Sequence, residues 1–165
     1  MEIKKAGIVN VNEIKHLAYQ IWPDAYGDIL SKEQLHYMLE LFYNEQALIY
    51  QIENLQHQFI ILYDTDEAIG FASYSPIQIG DNNTFKIHKI YVMPGRQGKG
   101  LGKLLLTYII TEIKKSGASI LELNVNRHNK ALYFYQKMGF TIVQSADIAI
   151  GNGYFMNDYI MQLAL

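Results

Sequence analysis

The chain predicts an α/β fold, a mixed sheet with helices on both faces, and three observations predict it. A chain of 165 residues, half of them hydrophobic, is long enough for one domain with a full core, here drawn as residues 1–165. Apolar residues recur at helical spacing in the first third, then at strand spacing in the middle. A second helix–strand alternation follows, introduced by a glycine-rich joint.

Each element has a local cause. Asn10 and Glu13 form a capping-box pattern ahead of Ile14, Leu17, Ala18 and Ile21, and Pro23 is expected to end or kink that helix. Ser31 and Gln34 repeat the pattern before Leu35, Met38, Leu39 and Phe42. A third short helix begins near Asn44 and uses Leu48, Ile52 and Leu55. Gln58–Tyr63 reads as a strand that turns at 64–66 into Ala68–Tyr74. A loop of Gly80, Asp81, Asn82 and Asn83 leads to a strand at Thr84–Met93, closed by Pro94. There Phe85, Ile87, Lys89 and Tyr91 alternate with Lys86, His88, Ile90 and Val92. Leu101, Leu104, Leu105, Tyr108, Ile109 and Ile113 form a helical stripe, with Lys114 and Lys115 opposing the dipole in its last turn and Gly117 as the stop. A strand at 119–125, a helix at 129–138 and strands at 140–143 and 154–163, joined by a turn at Gly151–Gly153, complete the order.

Composition excludes several classes. There are 14 basic and 16 acidic side chains, so bulk charge gives no reason to expect a nucleic-acid partner. The absence of cysteine removes a disulfide framework, a thiolate nucleophile and a cysteine zinc site together. No metal site is expected, because His88 and His128 form no ligand set and His16, His36 and His57 are assigned to separate helical segments. The N-terminus shows no apolar signal core, and Leu104–Ile110 is far too short to span a membrane. The expectation is a cytoplasmic protein with no membrane partner; a homodimer is left open.

The stretch from Val92 to Lys103 carries the chemistry. A strand enters a turn with Gly98, Gly100 and Gly102, and the turn opens a long helix. Free N–H groups at such a helix start, with the positive dipole end, hold a phosphate without side chains. Arg96, Lys99 and Lys103 add charge; the alternative is a tight turn with solvated basic residues. A P-loop requires Gly-x-x-x-x-Gly-Lys-Ser/Thr, and here Leu101 and Gly102 follow Gly100 without a hydroxyl. A dinucleotide fold requires Gly-x-Gly-x-x-Gly near the first strand, which neither the spacing nor the place supplies.

The segment resembles the Gcn5-related N-acetyltransferase (GNAT) family. Gln97, Gly100 and Gly102 match its Gln/Arg-x-x-Gly-x-Gly/Ala signature, preceded by Ile90-Tyr91-Val92-Met93-Pro94. Asn129, Ala131, Phe134, Tyr135, Lys137, Gly139 and Phe140 match its second signature, and the similarity covers residues 58–143. The resemblance implies an acyl-CoA N-acyltransferase fold, with a central, mostly antiparallel twisted sheet. It also implies acetyl transfer from acetyl-CoA to a primary amine of a small molecule or peptide, by direct attack in a ternary complex. Residue by residue, it implies that the backbone of Ile90, Tyr91 and Val92 pairs with the pantetheine arm. The amides of Gln97, Gly98, Lys99, Gly100, Leu101, Gly102 and Lys103 hold the pyrophosphate, Asn129 contacts the cofactor, and Tyr135 protonates the leaving thiolate. Tyr135 also fits a core position at helical spacing.

The proton lost by the amine needs an acceptor. His88 is the candidate, four residues before Val92 and on the same side of a regular strand, with an ordinary pKa suited to neutral pH. A hydrogen-bonded strand histidine is the alternative, and a bulge would reverse its direction. Glu122 is the weaker candidate base. The resemblance implies an acceptor site between the N-terminal helices and the last hairpin, which assigns Trp22, Tyr26 and Asp158 to it; aromatics with carboxylates suit an ammonium, and ordinary loop polarity with core aromatics is the alternative. The 22–31 segment and the tail at 150–161 are similar to the spermidine/spermine acetyltransferase-like (PaiA-type) branch, which makes a polyamine the lead acceptor. A non-catalytic acyl-CoA sensor of the same fold and an unrelated nucleotide-phosphate binder are the competing classes.

Overall fold

The computed structural model describes residues 1–79 and 82–165. Its elements run β1 (Glu2–Ala6), α1 (Val11–Tyr26), α2 (Lys32–Tyr43), α3 (Glu45–Glu53), β2 (Gln58–Asp64), β3 (Glu67–Ile79), β4 (Asn82–Val92), α4 (Leu101–Lys115), β5 (Ile120–Asn126), α5 (Ala131–Lys137), β6 (Thr141–Gly151) and β7 (Tyr154–Ala164). Seven strands form one sheet in the order β1-β2-β3-β4-β5-β7-β6. Only β4 and β5 run parallel; every other pair is antiparallel. The sheet is therefore mixed and mostly antiparallel.

Two cores cover its faces. Phe59, Ile61 and Phe71 pack under α1–α3 with Ile14, Leu17, Ile21 and Leu48. Ile60, Leu62, Ala72, Phe85 and Ile87 pack under α4 with Leu101, Leu105, Leu106, Ile109 and Ile113. Adjacent residues of β2 are buried on opposite faces, which is why that strand reads as a continuous apolar run. Leu104, counted in the α4 stripe, is 40% exposed, and Leu55 lies beyond α3 and is exposed.

Several local expectations need correction. The first five-residue strand, β1, was not expected; it adds to the edge of β2. Pro23 sits inside α1 without ending it, because the helix has only one further turn and Gly27 N–H still reaches the Pro23 carbonyl at 3.0 Å. Asn10 does not cap α1 through its side chain; its Oδ1 accepts the Gly7 N–H at 3.1 Å. Ser31 Oγ does accept Gln34 N–H at 3.1 Å, and Asn44 Oδ1 caps α3 by accepting Ala47 N–H at 2.8 Å. Pro76 lies within β3, past the end of β2, where no neighbour needs its missing N–H. The final strands are longer than expected, and Asn152 and Gly153, both with positive φ, make the two-residue turn between them. Of the expected loop, Gly80 and Asp81 lie outside the described residues, and Asn82 and Asn83 already belong to β4.

Candidate active site

The site begins where the sheet opens. β4 pairs with β5 only from Thr84–Ile120 to Ile87–Leu123. Beyond that point β4 stays with β3 as far as Val92, while β5 stays with β7 as far as Asn126. The β5-facing edge of Lys89–Val92 therefore has no strand partner, an arrangement that accepts an extended chain by strand addition. The opening coincides with a bulge. Ser73 pairs with Lys89 and Tyr74 pairs with Ile87, so His88 is the extra residue.

A cleft of about 990 Å³ fills this opening. Ile90, Tyr91 and Val92 line one wall; Gln97, Gly98, Gly100, Leu101, Gly102 and Lys103 line its end. Gly100, at φ +76, is the N-cap of α4, a left-handed conformation that favours glycine. Leu104 N–H is the first to bond back, to the Gly100 carbonyl at 2.9 Å, so the amides of residues 101–103 are left for a ligand. A Cβ built on Gly98 or Gly100 meets nothing within 4 Å, so the loop is an open cradle. An extended arm ending in phosphates fits both the unpaired edge and this cradle.

Individual residues take distinct places. Lys99 lies outside the cleft lining, and Arg96 is not free to serve an anion: it bonds Asp64 at 2.9 Å and Glu67 at 2.7 Å on the β2–β3 hairpin. Asn129 lines the cleft, and its Oδ1 accepts Ala131 N–H at 2.9 Å to start α5. Tyr135, 7% exposed, reaches the cleft from α5 between the rings of Phe134 and Phe140. Burial pushes its hydroxyl well above the ordinary tyrosine value, so it keeps its proton at neutral pH.

A second cavity of about 480 Å³ adjoins the cleft, sharing Tyr26, Ile87, His88, Lys89, Tyr91 and Asn124 with it. It lies between α1–α3 and the β6–β7 hairpin and contains Trp22 and Asp158. The Tyr26 and Tyr91 hydroxyls bond at 2.9 Å on its border. Burial raises the Asp158 carboxyl, partly offset by Asn124, Lys86 and Arg127.

The geometry of His88 departs from two expectations. The bulge turns it away from the face of Val92: Ile87, Ile90 and Val92 pack in the α4 core, whereas His88 turns toward His57 and borders both the cleft and the second cavity. Its ring stacks on His57 and bonds Ser75 Oγ at 2.8 Å. Burial, then the charges of His57, Lys89 and Lys86, lower it to about 3, not to neutrality. His57 stands in the loop before β2, not on a helix, and burial with Lys89 lowers it to about 4. Glu122 is absent from both linings; it pairs with Lys86 at 3.4 Å and accepts from Gln162 at 2.9 Å.

Sequence reasoning missed Lys89. It is buried on the same side as His88, donates to Gln51 Oε1 at 2.7 Å, and lies over the rings of Tyr43 and Phe59. The signal was present: apolar residues at 85, 87, 90 and 92 skip one position between 87 and 90, as a bulge requires.

This is a fold with a split parallel strand pair and an anion-binding helix start, the architecture of acyl-CoA acyltransferases. Residues 12–140 match the model of the Acetyltransferase (GNAT) family, and the chain belongs to that family. It is 27% identical over 147 residues to a spermidine N(1)-acetyltransferase of Thermoplasma acidophilum, covering 86% of this chain and 89% of the relative. An L-methionine sulfoximine/L-methionine sulfone acetyltransferase of Salmonella typhimurium is 27% identical over 114 residues, 67% of each chain. The crystal structure of the Thermoplasma acidophilum PaiA N-acetyltransferase in complex with coenzyme A superposes with a TM-score of 0.83 at 25% identity, covering 99% of this chain and 98% of that one. The protein is an acetyl-CoA-dependent N-acetyltransferase. Among the described residues no helix is long and apolar enough to cross a membrane, and no group of three or more metal-ligating side chains gathers.

Proposed function

We propose that the chain acetylates a small primary amine bound in the second cavity, in a ternary complex with acetyl-CoA in the cleft. The observation that carries this is the junction of the two spaces at the β4 bulge, with Tyr135 in the cleft wall. The thioester supplies an acyl carbon that needs little activation beyond positioning. The Lys89–Val92 edge holds the pantetheine arm and the amides of residues 101–103 hold the pyrophosphate. Tyr135, protonated at neutral pH, gives its proton to the departing sulfur. Asp158 draws the acceptor's ammonium and, raised by burial, takes the proton that the amine loses. His88 acts as a neutral wall of the cavity rather than as the base.

A polyamine acceptor is supported by the similarity to the Thermoplasma acidophilum spermidine enzyme. Release of free thiol from acetyl-CoA with a panel of primary amines tests the reading. Amine-dependent release that Tyr135→Phe suppresses is the expected result; no amine-dependent release with any member of the panel would reject it in favour of an acyl-CoA sensor.

A further inference from the structure

The second cavity contains a buried amine that its protein neighbours satisfy only in part. Lys89, 8% exposed, is a buried amine with neutral neighbours only: the Gln51 carbonyl oxygen and the faces of Tyr43 and Phe59. Among the described residues no carboxylate lies within ion-pair distance of it. Its Nζ carries three N–H bonds when charged, and Gln51 accepts one. Trp22, 4% exposed, packs against Tyr43, and its Nε1, which can only donate, is buried and faces the Tyr43 hydroxyl. His57 Nδ1 is buried and unpartnered. All three residues line the same cavity.

A buried ammonium without a counter-ion is strongly unfavourable, so burial lowers the Lys89 amine to about 7 and a bound anion would restore its charge. Packing does not require the amine, since an apolar side chain fills the same space. A ligand oxyanion in this cavity would supply the acceptor that Lys89 lacks. We infer that the acceptor carries a carboxylate in addition to its amine, and that Lys89 holds that carboxylate while the amine faces the cleft. This rests on the acetyl-transfer reading above and narrows it. A polyamine would instead set a second ammonium against Lys89, a like-charge contact in a buried site.

The test uses pairs of acceptors that differ only at the carboxylate: leucine against 3-methylbutylamine, methionine against 3-(methylthio)propylamine, and 4-aminobutanoate against propylamine. Acetyl transfer is measured by thiol release and by mass of the product. The expected result is that at least one carboxylate member exceeds its partner in kcat/KM by about ten- to hundredfold, the range of a charge-assisted bond. Lys89→Met should abolish that preference through KM of the carboxylate member, and Lys89→Arg should retain part of it. Thermal unfolding establishes that each variant is folded. Better turnover of the amines lacking carboxylate, or a preference that survives in folded Lys89→Met, overturns the inference while leaving acetyl transfer intact. Acetylation of no amine at all overturns the acetyl-transfer reading and the inference together.

Discussion

The imidazoles of His57 and His88 stack with centroids 3.8 Å apart and planes 10° from parallel, one ring from the loop before β2 and one from the β4 bulge. Such stacking is compatible with two neutral rings and opposes two charged ones, as the lowered values of about 4 and about 3 express. In the unfolded chain both rings titrate near 6.5. Between pH 6.5 and 4 the unfolded state therefore binds more protons than the folded one, and stability falls as pH falls. The slope is at most about 1.4 kcal/mol per pH unit for each ring. Urea unfolding between pH 7 and 5 should show it, and His88→Gln should flatten it. An unchanged slope in that variant would remove the buried neutral pair from the account.

The same variant addresses the reaction. A base titrating at about 3 gives no limb near neutrality. Any rise of kcat/KM with pH between 6 and 8 is thus expected to survive in His88→Gln. Its disappearance there would restore His88 as the proton acceptor.

Tyr135→Phe removes one hydroxyl from a ring held by Phe134 and Phe140, so packing is kept. Turnover with the best amine should drop by about 10²–10⁴, the usual worth of a positioned general acid, while acetyl-CoA affinity by calorimetry stays within about threefold. A loss of less than about threefold in turnover would make Tyr135 a core residue and water the proton donor.

What the sequence disclosed and what it concealed have physical causes. The geometry of the cleft loop was legible because the expected role of Gly98, Gly100 and Gly102 rests on the backbone, and the free amides of a helix start suit an anion. The second cavity was only partly legible. Trp22, Tyr26 and Asp158 do line it, yet they come from α1 and β7, which only the folded sheet brings together. Lys89 was hidden by an assumption of strict alternation; one inserted residue puts it and His88 on one side. β1 was hidden because it is a short edge strand whose outward residues are charged, a pattern that stands out little from a loop.

The loop glycines are expected to separate into two effects. Gly100→Val forces a branched side chain into a left-handed conformation at the α4 N-cap, costing about 1–2 kcal/mol of stability and disturbing the amides that follow. Gly102 is in the helix, and a Cβ there would make ordinary contact with Phe134 Cζ at 3.6 Å. Gly102→Ala should therefore unfold at or above the parent temperature, since alanine favours a helix. Both should lower acetyl-CoA affinity, Gly100→Val by about tenfold or more, read by calorimetry. Parent affinity in a folded Gly100→Val variant would remove the loop from phosphate binding.

Lys89 sets a stability cost that pH exposes. Burial lowers its amine from 10.5 to about 7, so between those values the unfolded chain holds a proton that the folded one has released. Stability should rise with pH across that window, by at most about 1.4 kcal/mol per unit. The groups around it do not confuse the reading: His57 and His88 are already neutral there, and Lys86 is engaged by Glu122. Lys89→Met removes the buried cation and leaves Gln51 Oε1 without a donor, an opposing cost of about 1–3 kcal/mol. The net change at pH 7 is thus small, but the pH dependence is not: the difference in unfolding free energy between parent and variant should shift toward the parent as pH rises from 7 to 9. A bound carboxylate acts in the other direction, because it holds the proton on Lys89. Stabilisation of the parent by a carboxylate-bearing acceptor should fade above about pH 7 and be absent in Lys89→Met. Urea unfolding with and without leucine at pH 6.5, 7.5 and 8.5 checks both. Parallel pH profiles for parent and variant would mean that Lys89 stays protonated in the fold, already paired within the protein.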